Sequence, residues 1–148
     1  MITFKKILCP IDYSDCSAMA LRYAAGLALK DSGRLYLMHT IDKRIYDYGG
    51  PIYEVQPSPD EETIARLKEK LAESVPKEIR GDIEIETIVS VGIPAQEIVN
   101  AAHEKEVDII VMGTHGRTGV AHVVMGSVAE NVTRKALCPV LTVRLAKK

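Results

Sequence analysis

Cysteine is too scarce and too irregularly placed to organise this chain. Cys9, Cys16 and Cys138 are odd in number, stand at unrelated spacings and form no CxxC pair. They read as reduced thiols, neither a disulfide framework nor a zinc site. Cys16 falls in the first turn of an expected helix, where the dipole favours a thiolate; a small buried side chain is the plainer reading. Histidine does not supply a metal site either, because His39, His103, His115 and His122 form no HxxxH pattern and pair with no cysteine at ligand spacing. Neither sign of charge is in excess, with 19 basic against 20 acidic residues, which argues against a face built for DNA, RNA or an anionic membrane. No apolar run approaches the ~20 residues of a membrane-spanning helix. The opening MITFKKILCPID reaches Asp12 after only a few apolar residues, so it does not read as a signal peptide. A cytoplasmic location is expected.

What is present is an ordinary globular mixture, 47% hydrophobic and 26% charged over 148 residues. That is the size of one domain with one core, so residues 1–148 are expected to fold as a unit without staples. Short apolar runs alternate with longer helical patterns. Lys6–Ile11 reads as a buried strand, followed by an Ala/Leu-rich helix that Ser14 or Asp15 can cap and that stops at Gly33. Leu35–Ile41 is a second strand. The segment Asp42–Glu61 carries three of the six tyrosines, Tyr46, Tyr48 and Tyr53; so long a connection is a lid, a partner contact or a surface excursion. Glu62–Val75 resumes helical spacing. Ile83–Val91 alternates apolar and polar residues, as a strand near a sheet edge does. Pro94 suits the first position of a helix running to about Glu106. Asp108–Met112 is wholly apolar after its first residue and reads as a central strand. A Gly-rich stretch, a helix over about Ser127–Ala136 and a last strand, Pro139–Leu145, complete the chain.

Strands separated by helices require right-handed crossovers, which build an open parallel sheet with helices on both faces. The expected class is therefore α/β, with five parallel strands and four helices. In such sheets ligands bind beyond the carboxyl ends of strands, where the winding reverses. The unusual sequence at such a position is GTHGRTGVAHVVMGS, Gly113–Ser127, spaced as Gly113-x2-Gly116-x9-Gly126-Ser127. Glycines let backbone N–H groups approach an anion, and a helix starting at Gly126-Ser127 offers unpaired N–H groups with a positive dipole end. Alternatively these glycines serve only as turns. The lysine motif GxxxxGK[ST] is absent, and so is GxGxxG after the first strand, where Pro10-Ile11-Asp12-Tyr13 stands. Neither a P-loop NTPase nor a standard dinucleotide fold is indicated.

These segments resemble the ATP-binding branch of the universal stress protein family. KKILCPIDYSDCSAMAL resembles that family's opening strand, turn and first helix, VGIPAQEIV its third helix, and GTHGRTGVAHVVMGSVAENVTRKALCPVLTV its most diagnostic segment, the G-x2-G-x9-G-[S/T] motif. The resemblance covers essentially the whole chain. It implies a Rossmann-like, adenine nucleotide alpha hydrolase-like fold with strand order 3-2-1-4-5, and ATP in the crevice between strands one and four, often in a homodimer. With no metal site among the histidines, any Mg2+ is expected to be held mainly by the phosphates. It places Pro10, Ile11 and Asp12 at adenine and ribose, with Ile41 over the base; Asp12 is otherwise a helix cap and Ile41 otherwise core. It places Met112, Gly113, Thr114, His115, Gly116, Arg117, Thr118, Gly119, Gly126, Ser127, Val128 and Ala129 along ribose and phosphates. Arg117 either reaches a terminal phosphate or is solvated.

Three function classes follow: a nucleotide-responsive regulatory binding protein, an enzyme that consumes the nucleotide, or an interaction module with an empty crevice. Hydrolysis needs an oriented water and a base. Arg117, His115 and Asp12 are available parts, but no arrangement identifies a base, and SGGxDS-like and HxGH signatures are absent. Binding with slow or no turnover is therefore expected. A bulky residue at Gly126 is expected to abolish it while leaving the fold intact. The apolar last strand, residues 139–145, is expected to protect its edge by pairing in a homodimer.

Overall fold

Residues 1–44, 58–116 and 125–146 are described by the computed structural model of the chain. Five strands form one all-parallel sheet: β1 (Lys6–Pro10), β2 (Arg34–Asp42), β3 (Glu84–Gly92), β4 (Ile109–Gly113) and β5 (Val140–Val143), in the order β3-β2-β1-β4-β5. The helices are α1 (Asp15–Asp31), α2 (Glu61–Glu73), a short α3 (Lys77–Arg80), α4 (Pro94–Glu104) and α5 (Ser127–Lys135).

Side chains alternate across each strand, and the alternation divides the core in two. Ile7, Cys9 and Ile11 of the first strand region, with Leu35 and Leu37 of β2 and Ile109 and Val111 of β4, pack against α1 and against Leu71 of α2. Leu8, Tyr36, Met38, Ile110 and Met112 face the other way, onto Ile98, Ala101 and Ala102 of α4 and Ala129 and Val132 of α5. The chain thus winds from β1 through β2 to β3 with helices on one face, then crosses to β4 and β5 with helices on the other. The reversal falls between β1 and β4.

Local chemistry sets the boundaries. Ser14 caps α1 by accepting from the Ser17 amide, 3.1 Å away, and Asp15 lies in the first turn where the dipole favours it. Ser32, not Gly33, takes the left-handed cap position at φ 50°. Gly33 is required for another reason: a Cβ there would stand 2.7 Å from the Phe4 carbonyl oxygen. Pro94 opens α4, as expected. Asp108 precedes β4 rather than starting it, and its Oδ2 accepts the Lys5 and Lys6 amides at 2.7 and 2.8 Å, tying the start of β1 to the start of β4. The terminal strand is shorter than the expected Pro139–Leu145, and α3 is a helix the sequence pattern does not reveal.

Strand β3 lies at a sheet edge and carries Glu84 and Glu86, which pair with Arg34 and Lys105. Charged edges resist pairing with other chains. The opposite edge, β5, is more apolar, with Leu141 partly exposed and Leu137 and Leu145 exposed beside it. Among the described residues no helix is long and apolar enough to cross a membrane.

Candidate functional site

The carboxyl ends of β1 and β4 lead into two turns that meet. Beyond Pro10, the Ile11 amide donates to the Met38 carbonyl at 2.7 Å, so the backbone continues in sheet-like contact before breaking away at Asp12. Asp12 does not cap α1 directly. Its Oδ1 accepts from the backbone amide of Ser14 at 2.9 Å and from the Ser14 hydroxyl, and Ser14 in turn caps the helix. This leaves Oδ2 aimed across the sheet end. A Cβ added to Gly116 would stand 2.7 Å from that oxygen. The exit of β1 therefore faces the exit of β4 across a position that only glycine leaves open.

Strand β4 ends at Gly113, against which the first turn of α1 packs: a Cβ there would lie 3.0 Å from Cys16 Cβ and Sγ. Cys16 is buried, and its Sγ donates to the Val143 carbonyl at 3.1 Å, so it is a packing residue. Thr114 is also buried. Its amide donates to the Val143 carbonyl at 2.9 Å, and its Oγ1 lies 3.0 Å from His115 Nδ1. The Thr114 carbonyl accepts the Gly126 amide at 2.6 Å, which brings the start of α5 back onto the exit of β4.

Gly126 is the N-cap of α5 and supplies no side-chain acceptor. The first closing bond runs from the Glu130 amide to the Gly126 carbonyl at 3.0 Å, so the amides of Ser127, Val128 and Ala129 have no acceptor within the helix. These groups and the helix dipole form a standard anion-binding arrangement. Glu130, also in the first turn, is engaged by Arg134 at 2.9 Å. Gly126 has a structural duty as well: a Cβ would stand 2.9 Å from the Thr114 carbonyl oxygen. Because that obstacle is backbone, a bulky residue here would displace α5. The expectation that the fold would be indifferent to such a change is corrected accordingly.

The remaining expected residues fall as follows. Met112 and Ala129 are buried with their side chains in the α4–α5 core, so their main-chain groups are what they can offer a ligand. Val128 packs partly on the same core. Ile41 lies three residues beyond Met38, the partner of Pro10, about 10 Å further along β2 at ~3.3 Å per residue. There it pairs with Val91 and is partly buried. Strand alternation puts it on the α1–α2 face, opposite the start of α5. Arg117, Thr118 and Gly119 lie outside the described residues, as do Tyr46, Tyr48 and Tyr53.

Sequence reasoning missed the support beneath Asp12. Tyr13 holds a left-handed φ of 63°; a tyrosine gives no sequence signal for this, whereas a glycine would. His39 Nδ1 lies 2.8 Å from the Ile11 carbonyl oxygen. Burial pushes the Cys9 thiol far up, so this neighbour of Pro10 stays protonated and uncharged. Among the described residues no group of three or more His, Cys, Asp and Glu side chains could hold a metal ion.

Comparison with known proteins converges on one family. A profile of the universal stress protein family matches residues 3–144. The universal stress protein MJ0531 of Methanocaldococcus jannaschii is 36% identical, with 98% of this chain and 85% of that protein aligned. The solved structure of MJ0577, from the same organism, superposes with a TM-score of 0.72 at 32% identity, covering 99% of this chain and all of that one. The universal stress protein of Archaeoglobus fulgidus, solved in complex with dAMP, gives a TM-score of 0.65 at 28% identity over 96% of this chain and 99% of that one. With its parallel sheet in the order 3-2-1-4-5 and its glycine-rich exit from β4, this chain belongs to the universal stress protein family.

Proposed function

We propose that the chain is a single-domain regulatory protein that binds ATP in the β1–β4 crevice and turns it over slowly or not at all. One observation carries the reading: the start of α5, which has no side-chain cap, is tied back onto Thr114 at the β4 exit, and the exposed Gly116 two residues on faces the Asp12 carboxylate. An anionic tail suits the Ser127–Ala129 amides, and a ribose or base suits a carboxylate acceptor. The dAMP complex of the Archaeoglobus fulgidus relative supports an adenine nucleotide.

In this reading Ser127, Val128 and Ala129 hold phosphates through main-chain N–H groups. Gly113, Thr114, His115, Gly116 and Gly126 shape the path, and Arg117, Thr118 and Gly119 are proposed to contribute to nucleotide binding. Pro10, Ile11 and Asp12 receive the nucleoside, Met112 contributes through its main chain, and Ile41 is proposed to cover the base where it extends along β2 past the end of β1. Magnesium, when bound, neutralises charge on the phosphates and is held mainly by them. The protein works in the cytoplasm as a homodimer joined along residues 139–145, where the apolar β5 edge and Leu141 are covered.

The test is to denature the purified protein and identify the released nucleotide chromatographically, then titrate nucleotide-free protein. Bound adenine nucleotide, with phosphate release no faster than a protein-free control, is the expected result. Turnover at ~1 per second or above would make the protein an enzyme and overturn the regulatory reading.

A further inference from the structure

The turn that carries Asp12 is held through the residues on both sides of it. The residue before it, Ile11, has its carbonyl oxygen 2.8 Å from His39 Nδ1. A carbonyl only accepts, so this nitrogen carries the hydrogen. The residue after it, Tyr13, is non-glycine at φ 63°, a conformation that persists only where the surroundings over-determine it. Those surroundings are specific. The Tyr13 ring lies 5.1 Å from the His39 ring at an interplanar angle of 52°, and Lys70 Nζ of α2 stands 4.1 Å from the Tyr13 ring centroid. That is the geometry of a cation–π contact.

The left-handed residue is what lets the chain double back. It brings both the amide and the hydroxyl of Ser14 onto Asp12 Oδ1 and so leaves Oδ2 on the side of Gly116. Tyr13 packs against the α1–α2 core and His39 bonds the Ile11 carbonyl, while Asp12 Oδ2 is left to face Gly116 at the β4 exit.

We propose that Tyr13 and His39 are positioning residues: through the Ile11 carbonyl and the left-handed turn they aim the Asp12 carboxylate into the crevice, with Lys70 seating the tyrosine ring. This rests on the nucleotide reading above and adds to it the residues that set how well the nucleoside end is held. Loss of the ring or of the imidazole N–H frees the turn to relax, so Asp12 loses its aim. The α5 amides belong to a separate element tied to Thr114 and are left unchanged.

Calorimetric titration tests this with two probes, ATP and inorganic tripolyphosphate, on wild type, Tyr13→Ala, His39→Leu, Asp12→Ala and the Asp12→Ala/Tyr13→Ala double variant. Tyr13→Ala and His39→Leu are each expected to weaken ATP about tenfold or more, an ordinary effect for one misaligned charged hydrogen bond. Tripolyphosphate affinity should stay within about twofold. In the Asp12→Ala background Tyr13→Ala should cost almost nothing further, because the two act on one interaction. His39→Asn, which keeps an N–H donor near the Nδ1 position, should restore most of the ATP affinity. Should Tyr13→Ala fail to fold, His39→Leu against His39→Asn decides the matter. Unchanged ATP affinity in both single variants, equal losses for the two probes, or additive losses in the double variant would overturn the proposal while leaving nucleotide binding in place. A wild-type protein that binds neither probe would remove the nucleotide reading and this proposal together.

Discussion

Replacing Gly116 with alanine separates the crevice from the fold. The new Cβ would stand 2.7 Å from Asp12 Oδ2, and the carboxylate must retreat by about 0.7 Å to reach ordinary van der Waals contact. Its other oxygen is tied to the Ser14 amide and hydroxyl, so the retreat strains those bonds rather than any backbone. Asp12 is only partly buried and Gly116 is exposed, so water compensates much of the loss. A cost of about 1 kcal/mol is expected, or about 2–4 °C in Tm. Binding should suffer more. A charged hydrogen bond to the ligand is worth about 1.5–3 kcal/mol, so ATP affinity should fall about ten- to hundredfold. Thermal shift with and without ATP reads both quantities at once. Gly126→Ala is the contrasting variant: its Cβ meets the Thr114 carbonyl, so it should lower the Tm of the ligand-free protein further. Gly116→Ala that bound ATP as wild type does would refute the reasoning, and so would one whose ligand-free Tm fell by more than about 10 °C.

Iodoacetamide on the native protein should label Cys138, which is partly exposed, and reach the buried Cys9 and Cys16 only after unfolding; peptide mapping that found Cys9 modified first would contradict the assigned burial. The Arg44 guanidinium, 2.7 Å from Asp42 Oδ2, holds that carboxyl below its ordinary value of 3.8. A depressed folded pKa gives stability present above the unfolded value and lost as pH falls through the folded one. Arg44→Ala should therefore lower the urea midpoint slightly at neutral pH, and the difference should shrink as acid protonates Asp42; a difference unchanged in acid would mean Arg44 does not act through Asp42. In the proposed homodimer, Leu141→Lys on β5 should shift the species seen by light scattering to a single 16.3 kDa chain. A dimer surviving that change would move the interface elsewhere.

How much of this was legible beforehand depended on whether a feature is periodic. The run Asp108–Met112 announces a strand covered on both faces because four consecutive apolar residues leave no wet side, and β4 indeed lies between β1 and β5. The alternation in Ile83–Val91 announces the edge position of β3 for the converse reason. The four residues of α3 are too few to show a helical period. Within the site, glycine spacing located the β4 exit and the start of α5, because glycine marks places where a Cβ cannot go. What lay hidden were contacts between distant residues of ordinary type: Asp108 holding the amides of Lys5 and Lys6, His39 holding Ile11, Tyr13 in a left-handed turn. Gly33 shows how one residue can be noticed for the wrong reason. It looks like a helix stop, but the stop is Ser32, and the glycine makes room for the Phe4 carbonyl.

Titration of nucleotide-free protein with magnesium and ATP, followed by calorimetry up to millimolar concentration, tests the central claim most directly. A crevice formed by the α5 amides, Gly116 and Asp12 should give saturable heat at one site per chain, reduced in Gly116→Ala. No heat from the wild-type protein, or equal heat from both, would contradict it.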